Sequence, residues 1–87
     1  MKAVVTVIGK DMVGILAKVA GVCAESNANV LEVSQSVLDE YFAMVMLIDI
    51  TKLDSDINSL TQALEEKVPD MKVHVMHENI FNSMHRI

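Results

Sequence analysis

Three histidines and one cysteine are the residues best suited to metal or nucleophilic chemistry. His74 and His77 fall on a predicted strand, where they point to opposite faces and cannot easily share an ion, and His85 stands near the end of the chain. No organised carboxylate pattern completes a tetrahedral set, and Cys23 lies on a predicted buried helix stripe, where a thiol acts as a small hydrophobe. No serine or cysteine has a plausible histidine base. We therefore expect no catalytic residue, no metal and no cofactor.

The amino-acid composition restricts the classes of partner that the protein can bind. The formal net charge is −5 and the seven Lys and Arg residues are scattered, which disfavours nucleic acid and anionic lipid as direct partners. The longest apolar stretch, 41–48, is far shorter than the roughly 20 residues of a membrane helix. A single cysteine suits a reducing compartment, and no secretory h-region follows Met1. We expect a cytoplasmic protein.

The chain's length and hydrophobicity together predict self-association. A chain of 87 residues has room for one domain, whose stability alone would be marginal. Hydrophobic residues make up 52% of the chain, more than one layer of helices on one sheet easily hides. We expect a homodimer.

Hydrophobic periodicity predicts six elements. Alternation and β-branched runs indicate strands, whereas apolar residues at i, i+3, i+4 and i+7 indicate helices. The first helix carries such a stripe at Leu16, Val19, Ala20 and Cys23, and Asn27 can end it in the left-handed conformation. The predicted strands are 2–8, 29–38, 41–50 and 71–77, and the predicted helices are 13–26 and 53–68.

The order β-α-β-β-α-β defines the fold class. Right-handed β-α-β crossovers give an α+β, ferredoxin-like plait with a four-stranded antiparallel sheet and both helices on one face. In the second strand Leu31, Val33 and Val37 are expected to share a face. The third strand is apolar on both faces and is therefore expected to be central or at a subunit interface.

Several functions use this plait, and the loop after the first strand separates them. That loop lacks the CxxC of metal chaperones and the arginine of acylphosphatases, since the chain's one arginine is Arg86. Three aromatics and an acidic charge do not suit an RNA-binding sheet. The stretch VTVIGKDMVGILA, 5–17, instead resembles the opening strand, Asp-x-x-Gly-Ile/Leu loop and first helical turn of the ACT family, and Asn29-Val30 resembles its recurring Asn-Ile/Val. The tail, 77–87, resembles that of small stand-alone ACT proteins, which are similar to the ACT domains of the glycine-cleavage-system transcriptional repressor.

The resemblance implies a regulatory domain, not an enzyme, that binds a small effector, often an amino acid, beside the first loop at a dimer interface. The helix N-terminus suits a carboxylate, Gly14 permits close approach, and Asp11 could pair with an ammonium group. Asn29 supplies a donor and an acceptor, which the facing subunit could contribute. The ligand-binding residues implied are Asp11, Met12, Val13, Gly14, Ile15, Asn29 and Val30.

Structural roles remain open for the same residues. Asp11 could be the helix N-cap, Gly14 could let the helix pack closely, and Asn29 could hold a turn. The alternative function is a protein-interaction module without an effector, with the first loop closed by its own side chains and an apolar patch exposed.

The chain is divided into an ACT domain at 1–78 and an apolar tail at 79–87. In the tail Ile80, Met84 and Ile87 share one face at helical spacing, with Phe81 alongside. Chain ends are seldom so apolar. We expect the tail to dock on its own domain or on the partner subunit.

Overall fold

The computed structural model describes residues 1–10 and 13–79, and contains the predicted six elements in the predicted order. None of the helices in these two ranges is long and apolar enough to cross a membrane. The four strands are β1 Lys2–Gly9, β2 Asn29–Leu38, β3 Tyr41–Asp49 and β4 Lys72–His77, and the two helices are α1 Ile15–Glu25 and α2 Ile57–Lys67.

The four strands form one antiparallel sheet in the order β2-β3-β1-β4, as the ferredoxin-like plait requires. Val5 of β1 lies opposite Met46 of β3 and Val75 of β4, so these side chains share the face that packs against both helices. Met44 and Met46 are fully buried there. β3 is thus the central apolar strand that the sequence predicts.

β2 departs from simple alternation. A β-bulge between Val30 and Glu32 changes the register, so Val30 pairs with Ile48 and Val33 with Met46 on the helix side. Leu31 lies in the bulge. The prediction that Leu31 shares a face with Val33 assumed a regular strand without this bulge. β2 forms one edge of the sheet, and no residue in it is fully buried.

The buried stripe of α1 differs from the predicted one. Ile15, Val19, Val22 and Cys23 are buried, whereas Leu16 is 38% exposed. The predicted stripe was therefore wrong at Leu16. Ile15 and Leu16 are both apolar, and only packing against the sheet selects which of them is buried.

The helix α1 ends just before Asn27, as the sequence predicts. Asn27 has φ 62°, the left-handed conformation expected of it. The N–H of Ala28 donates to the carbonyl of Cys23 at 2.8 Å and the N–H of Asn27 to that of Ala24 at 3.2 Å. These two bonds are the pattern of a Schellman motif, which satisfies the last carbonyls of the helix.

α2 begins four residues later than predicted. The carboxylate of Asp56 accepts the backbone N–H of Ser59 at 2.7 Å and forms the N-cap. The same bond holds the pKa of Asp56 below its ordinary value. Leu53 belongs to the preceding turn, in which its N–H donates to the carbonyl of Ile50 at 3.1 Å.

Candidate functional site

Within the described residues, the N-terminus of α1 has no side-chain cap. Gly14 occupies the N-cap position with φ 72°, and its carbonyl accepts the N–H of Lys18 at 3.0 Å. The first N–H groups of a helix have no intrahelical acceptor, and glycine has no side chain to accept them. The partial positive charge and the first N–H groups at this end of α1 therefore suit an anion.

The structure decides one of the alternatives for this loop. A Cβ placed on Gly14 would meet no atom of a described residue within 4 Å, so close packing against the described part of the chain does not explain this glycine. Its positive φ does explain it, because L side chains seldom adopt that conformation. Gly14 holds the N-cap position, and Asp11, the residue considered for a capping role, lies outside the described residues.

The other predicted loop residues have different environments. Val13 is 78% exposed, whereas Ile15 is buried in the core. Asp11 and Met12 lie outside the described residues. Among the described members of the loop, Val13 and Gly14 are thus at the surface and Ile15 serves the fold.

Asn29 and Val30 lie at the far end of α1. Asn29 is exposed at the start of β2 opposite Asp49, and Val30 packs against the core. The side-chain amide of the neighbouring Asn27 already has a partner, because its Nδ2 donates a hydrogen bond to Oδ1 of Asp54 at 2.7 Å. The backbone N–H of Asp54 in turn donates to the carbonyl of Ser26 at 3.1 Å. This end of the helix is therefore tied to the loop after β3.

A groove lined by both polar and apolar side chains surrounds Asn29. Two adjoining cavities of about 380 and 400 Å³ share Asn27, Asn29 and Lys52 in their walls. One cavity adds Asp49 and Thr51, and the other extends along the small side chains of α1. Asn29 and Lys52 form no hydrogen bond or ion pair with another described residue, so an amide and an ammonium group are available here.

Asp49 has a structural role in this groove. Its carboxylate accepts the backbone N–H of Thr51 at 2.8 Å, and the hydroxyl of Thr51 accepts the Met1 ammonium at 2.7 Å. Hydrogen bonding from Thr51 holds the pKa of Asp49 below its ordinary value. Asp49 therefore remains ionised and anchors the turn after β3.

The two halves of the predicted site do not meet in a single chain. Gly14 and Asn29 flank α1, which has 11 residues. At 1.5 Å per residue the helix alone separates them by about 16 Å. A ligand of amino-acid size cannot span that distance.

Thr51 and Lys52 were missed by the sequence reasoning. They follow β3 in the chain and reach the groove only because β3 ends beside the start of β2. A Thr-Lys pair after a strand has no distinctive pattern, so no sequence signal identifies it.

The residues suited to metal or nucleophilic chemistry are not assembled. Cys23 is fully buried, and burial raises the pKa of its thiol. In the register of β1 with β4, His74 lies opposite Thr6 and His77 opposite Ala3, so the two rings face opposite sides of the sheet. Within 1–10 and 13–79 no three His, Cys, Asp or Glu side chains are grouped to hold a metal ion, and His85 lies outside these ranges.

The family model, the sequence relatives and the solved structures that match this chain agree on its domain family. The family model of the ACT domain matches residues 2–78. A UPF0237 protein of Clostridium perfringens is 48% identical, with both chains covered completely. The ACT domain protein from Streptococcus pneumoniae is 37% identical and superimposes with a TM-score of 0.79 over 98% of each chain. A glycine cleavage system transcriptional repressor shares the fold at 21% identity and a TM-score of 0.58, over 85% of this chain and 43% of its own. The chain therefore belongs to the ACT domain family.

Proposed function

We propose that this chain is a regulatory domain that acts as a homodimer and binds a small effector of the size and charge of an amino acid. The observation that carries the proposal is the placement of polar groups at both ends of α1. Within the described residues no side chain caps the N–H groups at Gly14, which suit a carboxylate, and Asn29 lies in an open groove. A cytoplasmic location, favoured by the single cysteine, belongs to the same proposal.

A second copy placed antiparallel would complete the site. If two α1 helices lie side by side in opposite directions, the N-terminus of one comes next to Asn29 of the other. Each dimer then holds two equivalent sites, one at either end of the helix pair. The predicted contribution of Asn29 from the facing subunit follows from this arrangement.

The exposed edge of the sheet supports dimerisation. β2 is an edge strand of 10 residues whose only charged side chain is that of Glu32. Val37 is 56% exposed and Leu38 is 76% exposed. A long, nearly uncharged edge strand tends to pair with another chain. Antiparallel pairing of β2 with β2 of a second copy would cover it and would set the α1 helices side by side.

A thermal-shift screen against the amino acids tests the effector. A ligand at about 100 times its dissociation constant adds roughly 2.7 kcal/mol to the free energy of unfolding, an easily measured shift in melting temperature. We expect the shift to disappear in Asn29→Ala and to persist in Asn58→Ala, a matched change at an exposed asparagine of α2. An equal shift in both variants would place the ligand elsewhere.

The alternative function is a protein-interaction module without an effector, and the exposed apolar edge of β2 is the observation that favours it. Sedimentation of Val37→Lys tests whether β2 is the dimer interface, whichever of the two functions holds. We expect a larger monomer fraction than in the parent chain, because a charge on β2 opposes strand pairing. A flat ligand screen on a folded dimer would favour the interaction module. An unchanged dimer in Val37→Lys would exclude β2 as the interface.

A further inference from the structure

The sheet face that carries no helix contains one unexpectedly buried residue. Val4 of β1 lies opposite Leu47 of β3 and Met76 of β4, so its side chain is on the face opposite to α1 and α2. Val4 is nevertheless only 4% exposed, whereas Val45 on the same face is 37% exposed. Thr6, two residues along β1 from Val4, is half-buried. The burial is therefore local to the end of the face where Val4 lies.

A cavity of about 360 Å³ adjoins Val4. Val4, Val45 and Leu47 form the apolar floor of this cavity on the sheet, and Val33 and Ser34 of β2 also line it. Glu32, from the edge strand β2, and Glu78, directly after β4, bring carboxylates to its walls. Neither carboxylate forms an ion pair with another described residue. The cavity thus combines an apolar floor with unpaired negative charge and suits an apolar segment that carries a cation.

We propose that this cavity is the docking site of the chain's own C-terminal segment, 80–87, which lies outside the described residues. The segment IFNSMHRI has the required chemistry, because it contains four large apolar side chains, the chain's one arginine and no acidic residue. Arg86, near the far end of the segment, would lie beside Glu32 of β2, and the apolar side chains would cover Val4 and Leu47. An arginine–carboxylate pair over an apolar floor gives direction to an otherwise non-specific contact.

The position and length of the segment support this occupant over a partner protein. The last described residue, Asn79, follows Glu78 at the wall of the cavity, so the segment begins where it is needed. Eight residues extend up to about 26 Å. The face from β4 to β2 spans three strand spacings, or about 14 Å. The segment can therefore cross the entire face, and a docked segment would leave the edge of β2 as the apolar surface open to another copy.

Proton NMR of the complete chain tests the docking directly. We expect nuclear Overhauser contacts from the ring of Phe81 or the methyl groups of Ile80 to the methyl groups of Val4 and Leu47. Mixing isotope-labelled with unlabelled chains separates contacts within a chain from contacts between chains. Absence of these contacts, or their presence only between chains, would overturn the proposal.

A charge-reversal cycle gives an independent measurement. We expect Arg86→Glu and Glu32→Arg each to lower the melting temperature, and the double variant to recover most of the loss. Glu66→Arg, an exposed change on α2, combined with Arg86→Glu serves as the matched control and should give no recovery. Recovery in the control but not with Glu32→Arg would contradict the docking. Neither experiment uses an effector, so its outcome is independent of the proposed function.

Discussion

A pair of glycine substitutions in and beside α1 should shift stability in opposite directions. A Cβ placed on Gly14 or Gly21 would meet no atom of a described residue within 4 Å, but of these two glycines only Gly14 has a positive φ, 72°. A left-handed conformation costs an L residue roughly 1–2 kcal/mol. Alanine also restricts the unfolded chain more than glycine does, which offsets about 0.4–1 kcal/mol of this cost. Gly14→Ala should therefore lower the free energy of unfolding by about 1 kcal/mol.

Gly21→Ala should stabilise the chain. Gly21 lies inside α1 and is exposed, so alanine removes the helix penalty of glycine, about 0.8–1 kcal/mol, without a clash. The two variants should then differ by about 2 kcal/mol. For a domain of this size 1 kcal/mol corresponds to about 4–8 °C, which gives a difference in melting temperature on the order of 8–16 °C.

Urea and thermal unfolding at one fixed protein concentration measure both effects, because association makes apparent stability depend on concentration. Gly14→Asn is the control, since asparagine tolerates a positive φ and should lose less than alanine. If Gly14→Ala is as stable as the parent, the left-handed N-cap is refuted. If Gly21→Ala is destabilised, the outer face of α1 is packed against another copy and is not open to solvent.

Three further variants or treatments test the core, the thiol and a helix cap. Met44→Ala should lower the free energy of unfolding by about 2–5 kcal/mol in urea titrations, because Met44 is fully buried in the centre of the sheet. A loss below about 1 kcal/mol would mean that the site is loosely packed. Cys23 should react with a thiol reagent only after unfolding, because burial raises the pKa of its thiol and blocks access. Rapid labelling of the native protein would contradict the buried position. Asp56→Ala should be less stable than the parent at neutral pH, and the difference should shrink as pH falls through the folded-state pKa, which lies below the ordinary 3.8. A difference that does not vary between neutral and acidic pH would show that the ionised carboxylate is not the cap.

Much of the fold could be predicted from local sequence. The strands begin and end close to their predicted residues, because alternation and β-branched runs leave few other conformations for short segments. Asn27 was correctly expected in the left-handed conformation, since asparagine is one of the few residues that tolerates it. The family was recognised from the loop before α1 and from Asn29-Val30, and the family model confirms it over residues 2–78.

Other features depend on contacts between distant residues and could not be predicted locally. Leu16 and Ile15 are both apolar, and the packing of α1 on the sheet buries Ile15 and leaves Leu16 partly exposed. The bulge in β2 follows from its pairing with β3. Lys52 lines the same cavity as Asn29 only because two strand ends meet at one corner of the sheet.

The sequence by itself determined the element order, the fold class and the residue types available for binding, because periodicity and turn chemistry act over a few residues. The tertiary structure decided how those residues are distributed in space. It placed Gly14 and Asn29 at opposite ends of a rigid helix of 11 residues, a separation that no local pattern encodes. It also left β2 as an unpaired edge and buried Val4 on the face away from the helices, because strand order and side-chain burial arise only when the whole sheet is assembled.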